Sequence, residues 1–402
     1  MREKRVAITG IGVISSNATG KAAFWEAILK GSSGIAPISL FDASIYKVKT
    51  AGEVKDFQPQ NILGEKGLRV LDRSTKLVSC AVKLALEDAK LEINEDNTQE
   101  TGLVIGTTLG SLRSVSEFDK EALKEGPRFV NPALFPNTVI NSPAAQAAIR
   151  FNIKGLNATI STGFSCGLDA IDYAVDSIRF GRVKTVLAGA VEELCEQTFL
   201  GFYKTGFLAG LNDGGLELSC PFDKRRNGII LGEGSVVLVL EDLESAVARQ
   251  AYIYAEIKGF GMGFALGLVR SIESALKKSA VAREGIDYVS SAANSTVTAD
   301  LLETNAIKEV FANAKEKLYI SSIKSMIGEC FSAGAAFQVV AALCAIEKQM
   351  LPPTINYKEK DPDCDLNYVV NAAHACKVNN VLINAFGPSG CNSSLVISKF
   401  AG

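Results

Sequence analysis

A short strand that turns through a tight elbow of small residues into an apolar helix occurs twice in this chain. A repeated strand–elbow–helix unit constrains both halves of a sequence to the same layered α/β arrangement. In the first copy, residues 158–161 lead through Thr162, Gly163, Phe164, Ser165 and Cys166 into a helix. Leu168, Ile171, Ala174, Val175 and Ile178 recur there at helical spacing, and Gly181 ends it. In the second, residues 319–328 lead into an Ala-rich helix carrying Ala333, Ala336, Phe337, Val340, Ala341 and Cys344, stopped by Pro352 and Pro353. Further β-branched runs at 6–9, 103–105, 185–187 and 235–240, then at 253–257, 288–290 and 381–384, read as strands between amphipathic segments. The expected fold is α/β with two similarly built halves, residues 1–245 and 246–402.

With 402 residues, 47% hydrophobic and 21% charged, the chain can bury a large core. Its net charge of −2 argues against general affinity for nucleic acid. Nine scattered cysteines, none spaced C-x-x-C, suggest neither a disulfide framework nor a metal site and point to a reducing cytoplasm. Residues 1–9 run into a strand without the apolar stretch of a signal peptide or membrane anchor, so no membrane insertion is expected. Gly10 and Gly12 follow the first strand, but Ser15 stands where a dinucleotide fingerprint has its third glycine, which argues against that site.

Cys166 is the candidate nucleophile. A cysteine entering a helix has its thiolate favoured by the helix dipole and free backbone N–H groups. A buried, inert cysteine at such a place is also common. Thiol chemistry usually needs a base, and the chain holds a single histidine, His374.

Nine stretches, spread nearly end to end, resemble the β-ketoacyl-ACP synthases, the condensing enzymes of fatty-acid and polyketide synthesis. They are RVAITGIGVIS at 5–15, FWE at 24–26, the Cys166 elbow, PFDKRRNG at 221–228, LGEG at 231–234, ETNAIK at 303–308, KSM at 324–326, PPTINY at 352–357 and NAFGPSGCN at 384–392. The resemblance implies a thiolase fold, a duplicated five-layered αβαβα architecture. It implies that Cys166 takes an acyl chain from an acyl carrier protein as a thioester. Members then decarboxylate malonyl-ACP and join its carbanion to the acyl group with the help of two histidines.

Neither histidine is present. The first family motif, like A-H-G-T-x-T, is written here as ANSTVT at 293–298, and Asn294 takes its place. The second, K-S-x-x-G-H, is written KSMIGE at 324–329, and Glu329 takes its place. Asparagine cannot exchange a proton near neutral pH, although its amide donates hydrogen bonds. A protonated Glu329 would donate to a carbonyl; an ionised one would repel malonyl; and a Glu329–Lys324 ion pair would simply fill the site. His374 falls in a segment peripheral in the family. The family's closing loop reads G-F-G-G-T-N, where the phenylalanine gates the pocket and its N–H completes an oxyanion hole with the cysteine N–H. Here Pro388 has no N–H, so that donor is lost unless the loop offers Ser389.

By the same resemblance, Thr296, Thr298, Phe386 and Pro388 line the substrate pocket, and the stretch after Gly263 is shortened, which remodels its mouth. Lys66, Arg69, Arg73, Lys224 and Arg225 carry positive charge where the family docks an acidic carrier protein, though generic solvated charge explains any one of them equally.

Three functions follow as expectations. The chain holds an acyl group on Cys166 but condenses poorly or not at all; or it is a non-catalytic partner like the chain-length factors that pair with an active ketosynthase; or it condenses with Asn294 and Glu329 in altered roles. All three predict a dimer, homomeric or heteromeric, and an acyl carrier protein as partner, with no metal or diffusible redox cofactor required.

Overall fold

The ten strands of the main sheet follow the same path in both halves of the chain. The computed structural model describes residues 4–212, 214–312 and 317–402. The first half contributes β1 (Val6–Ser15), β2 (Thr101–Gly106), β3 (Asn157–Ile160), β4 (Thr185–Glu192) and β5 (Gly234–Asp242). The second contributes β6 (Ala255–Phe264), β7 (Tyr288–Ser290), β8 (Tyr319–Ser321), β9 (Asn380–Phe386) and β10 (Cys391–Ser398). Their spatial order is β8-β7-β9-β10-β6-β1-β5-β4-β2-β3. Counted outward from the centre, one half reads first, last, fourth, second, third strand, and so does the other. Directions agree too: the two inner pairings of each half are antiparallel and the two outer ones parallel. The halves join where Val6, Ala7 and Ile8 lie antiparallel to Ile257, Glu256 and Ala255.

Six helices matter for the site: α1 (Arg73–Asp88), α2 (Leu112–Glu125), α3 (Cys166–Arg179), α4 (Leu268–Ser279), α5 (Val297–Val310) and α6 (Phe331–Lys348). The elbow helices α3 and α6 form the middle layer between the two half-sheets, while α1 and α4 cover the outer faces. A helix apolar on all sides must be buried, and α6 is buried from Phe331 through Ile346. Among the described residues it is the one helix long and apolar enough to cross a membrane, and its place in the core accounts for that composition. At the start of α3, a Cβ on Gly167 would lie 2.3 Å from the Ser332 carbonyl oxygen, so glycine there lets the two elbow helices touch backbone to backbone.

Gly10 and Gly12 lie inside β1, not in a turn. A Cβ on Gly12 would fall 1.9 Å from the Ala81 carbonyl of α1, and one on Gly261 of β6 would fall 2.0 Å from the Ser271 carbonyl of α4. Both strands use glycine to seat the outer helix closely. The strand β10 was not anticipated; its first residues, CNSS, are polar, yet Asn392, Ser393 and Ser394 are buried.

Candidate active site

Cys166 opens α3 and is fully buried. Gly163, at φ +91°, makes the elbow that an L side chain would strain. Its carbonyl accepts the Cys166 thiol proton and also the Cys166 backbone N–H at 3.2 Å. The Thr162 N–H donates to the sulfur at 3.1 Å, and the Thr108 hydroxyl lies 4.0 Å from it. Burial pushes the thiol up to about 11, with the nearby Glu192 carboxyl adding to the effect. Desolvation and a neighbouring acidic group thus work against the thiolate that the helix terminus was expected to favour. Nor is the Cys166 N–H free: it belongs to the elbow turn.

The elbow is braced by groups that sequence reasoning passed over. Asp169 accepts from Thr162 Oγ1, from Ser165 Oγ at 3.0 Å and from Ser393 Oγ of β10, tying the nucleophile's turn to the second half. Glu192, at the end of β4, accepts from the Thr108 N–H and from Ser332 Oγ at 2.6 Å. Its other oxygen has no hydrogen-bond partner among the described residues, and burial raises the carboxyl to about 7. An acidic residue ending the apolar run 185–191 was the available signal.

Asn294 and Glu329, which the sequence resemblance sets at two histidine positions, are bonded to each other. Asn294 Nδ2 donates to Glu329 Oε2 at 2.9 Å, and Lys324 Nζ donates to the same oxygen at 2.8 Å. The Phe331 N–H donates to Glu329 Oε1 at 3.0 Å, so every partner of this carboxylate is a donor. The ion pair anticipated from the sequence is thus present, with Lys324 3% and Glu329 1% exposed. Asn294 Oδ1 accepts from Thr296 Oγ1 at 2.9 Å, which fixes the amide's other end. Its backbone is set by Asp300 Oδ1, which accepts the Asn294 N–H at 2.9 Å and the Ser295 N–H at 3.2 Å, holding Ser295 at φ +74°. Behind Lys324, Glu303 accepts from Ser291 Oγ, the Ala292 N–H and Asn384 Nδ2.

The closing loop folds down over the elbow. Ser389 Oγ donates to the Thr162 carbonyl at 3.2 Å, and a Cβ on Gly387 would lie 2.5 Å from the Phe164 ring. The shortened stretch after β6 is a tight turn that braces this loop: the Ala265 N–H donates to the Gly390 carbonyl at 2.8 Å, and Asn392 Nδ2 to the Ala265 carbonyl at 3.0 Å.

Beside the loop is a largely apolar cavity of about 550 Å³. Asn294, Thr296, Thr298, Phe386 and Pro388 all line it, so the structure brings five anticipated residues together. Cys166, Lys324 and Glu329 are buried and do not line it. Of the basic residues, Lys66, Arg69 and Lys224 are exposed. Arg73 is bonded to Glu233 and the Val54 carbonyl, and Arg225 to Asp223 and the Asn356 carbonyl, so both guanidinium groups have structural partners. His374 is an exposed residue whose ring lies 4.7 Å from that of Tyr319, away from the cavity.

The chain matches the family model "Beta-ketoacyl synthase, N-terminal domain" over residues 3–246 and "Beta-ketoacyl synthase, C-terminal domain" over residues 263–358. It is 36% identical to the 3-oxoacyl-[acyl-carrier-protein] synthase 2 of Coxiella burnetii over 411 residues, 99% of each chain. It is also 36% identical to the protein of that name from Synechocystis sp., over 100% of this chain and 99% of the other. Among solved structures, a chain of the ishigamide ketosynthase/chain length factor superposes with a TM-score of 0.92 at 32% identity, over 99% of this chain and 100% of that one. A chain from a type II polyketide synthase acyl-carrier protein in complex with its ketosynthase superposes with a TM-score of 0.90 at 30% identity, with the same coverage.

Proposed function

Because the chain belongs to the β-ketoacyl synthase family, we propose that it accepts an acyl chain from an acyl carrier protein on Cys166 but is impaired in decarboxylative condensation. The observation that carries this reading is the Asn294–Glu329 hydrogen bond. It turns the two positions that serve condensation in the family toward each other, while the cysteine elbow is retained.

The acyl-transfer half keeps its nucleophile, although its tetrahedral adduct shares the loss of the Pro388 oxyanion donor and loading is expected to be slow. The Cys166 sulfur attacks the thioester carbonyl, a tetrahedral adduct forms, and the carrier's thiol leaves with the proton that Cys166 gives up. The condensing half needs donors for the enolate oxygen formed as malonyl loses CO₂. Glu329 offers acceptor oxygens there, and the charge of Lys324 is already matched by it. Positioned acid–base groups contribute ~10²–10⁴ in rate and one oxyanion donor about 10²–10³. Pro388 has no N–H and the Cys166 N–H is taken by Gly163, so both half-reactions are slowed at the oxyanion, while condensation alone also lacks the enolate donors at Asn294 and Glu329.

In this reading the protein is cytoplasmic and dimeric, and Lys66, Arg69 and Lys224 form the carrier-facing charge, with Arg73 and Arg225 shaping the surface behind them. The full burial of Cys166 beneath the closing loop favours a second reading, a chain-length-factor-like partner of an active ketosynthase. Intact-protein mass spectrometry after incubation with an acyl-ACP separates the two. An acyl mass shift that Cys166→Ala abolishes supports the first; no shift, with stable association to an active ketosynthase, supports the second.

A further inference from the structure

Phe164 and Cys166 belong to one elbow, yet only the first of them lines the cavity. Phe164 lies two residues before Cys166 in the same elbow, is 7% exposed, and lines the cavity that Cys166 does not. Its ring is packed on three sides. Gly387 of the closing loop approaches so closely that a Cβ there would be 2.5 Å from the ring. The Phe331 ring at the start of α6 lies 4.9 Å away, and the Phe202 ring, stacked on Phe331 at 5.0 Å, lies 6.4 Å away. The remaining side faces the cavity. The polar contacts of the sulfur are with Thr107, Thr108, Thr162 and Gly163, none of which lines the cavity.

We propose that Phe164 is a specificity-determining residue, an aromatic gate that sets the size of the group able to pass from the cavity to Cys166. Small acyl groups pass when the ring turns aside; long or branched groups are refused, because Gly387, Phe331 and Phe202 leave the ring little room to retreat. Interiors packed this closely yield to one methyl group far more readily than to several. The role concerns acyl groups only insofar as Cys166 is an acyl site, so it rests on the function proposed above.

The test therefore uses a readout that needs no carrier protein. The wild type, Phe164→Leu and Phe164→Ala are treated with iodoacetamide and with the bulkier N-phenylmaleimide, and labelling of the Cys166 peptide is timed by mass spectrometry. The gate predicts that Phe164→Ala raises the N-phenylmaleimide rate relative to the iodoacetamide rate by about tenfold or more, the discrimination a shaped apolar pocket commonly gives. Phe164→Leu, which keeps most of the packing, is expected to fall between. Equal changes for both reagents would mean general loosening and would overturn the gate, as would no change. A parallel panel of acyl-ACPs of increasing chain length separates the two claims. A size shift in alkylation with no acyl loading in any variant sinks the acyl-holding reading and leaves the gate standing. Acyl loading with the same chain-length profile in all three proteins sinks the gate and leaves the acyl-holding reading standing.

Discussion

Asn294 and Glu329 are joined by a 2.9 Å hydrogen bond from the Asn294 amide to the Glu329 carboxylate, and Lys324 completes the junction from the other side of the same oxygen. The pair occupies the positions to which the sequence resemblance assigns two histidines, and each group satisfies the other. Such a junction is stable only as a set. Removing one charge from a buried pair strands its partner, whereas removing both can be nearly neutral.

Glu329→Gln is accordingly expected to cost about 3–5 kcal/mol, because Lys324 stays buried without its counter-charge. Glu329→Gln combined with Lys324→Met is expected to cost less than Glu329→Gln alone. Denaturant unfolding of the three proteins checks the order; a double variant less stable than the single one would contradict it.

Restoring only the histidines, as Asn294→His with Glu329→His, is expected to give no β-ketoacyl product. Pro388 still supplies no oxyanion donor, the Cys166 N–H still bonds Gly163, and one missing donor already costs about 10²–10³ in rate. Chromatography with mass detection of malonyl-dependent product makes the check, and product from this double variant would show that the two side chains alone limit condensation.

The reactivity of Cys166 is expected to rise through the alkaline range, since burial and then the Glu192 carboxyl hold the thiol up at about 11. Glu192→Gln removes that charge and is expected to move the midpoint of the pH profile for Cys166 alkylation downward. Loosening of the fold would instead raise the rate at every pH in the same proportion. An unchanged midpoint would show that Glu192 does not act on the sulfur.

Stability is expected to depend on pH through Glu193, which is 3% exposed and has one oxygen without a hydrogen-bond partner among the described residues. Burial first, and the charge of Asp72 second, raise it from an ordinary 4.5 to about 8. The folded state then binds more protons than the unfolded one between these values, so this contribution is intact at low pH and lost as pH rises from about 4.5 through 8. Glu193→Gln should flatten the decline by several degrees in melting temperature across that window; an unchanged slope would assign the decline to other groups.

Much of this was legible in the sequence because it rests on local chemistry. The paired elbows foretold the duplicated topology, proline at 388 has no N–H whatever the conformation, and the Glu329–Lys324 ion pair was one of the arrangements the local sequence offered. What stayed hidden depends on burial and on partners distant in sequence. The strand β10 escaped because Asn392, Ser393 and Ser394 look like loop residues until Asp169 and Asn384 are placed opposite the two serines. The Cys166 thiol looked activated because the helix terminus is a local signal, while the desolvation and the Glu192 carboxyl that oppose it come from the tertiary fold. That Phe164 lines the cavity and Cys166 does not likewise needed the packing of Phe164 against Gly387, more than two hundred residues on in the chain.

In the proposed function, acylation of Cys166 and condensation are uncoupled. The most direct measurement loads Cys166 from an acyl-ACP, removes excess donor, adds malonyl-ACP, and follows the intact protein mass and the released products over time. The account predicts that the acyl mass on Cys166 persists and that no β-ketoacyl-ACP forms. Discharge of the acyl group with matching β-ketoacyl-ACP would contradict it and make the Asn294–Glu329 pair a working substitute for two histidines.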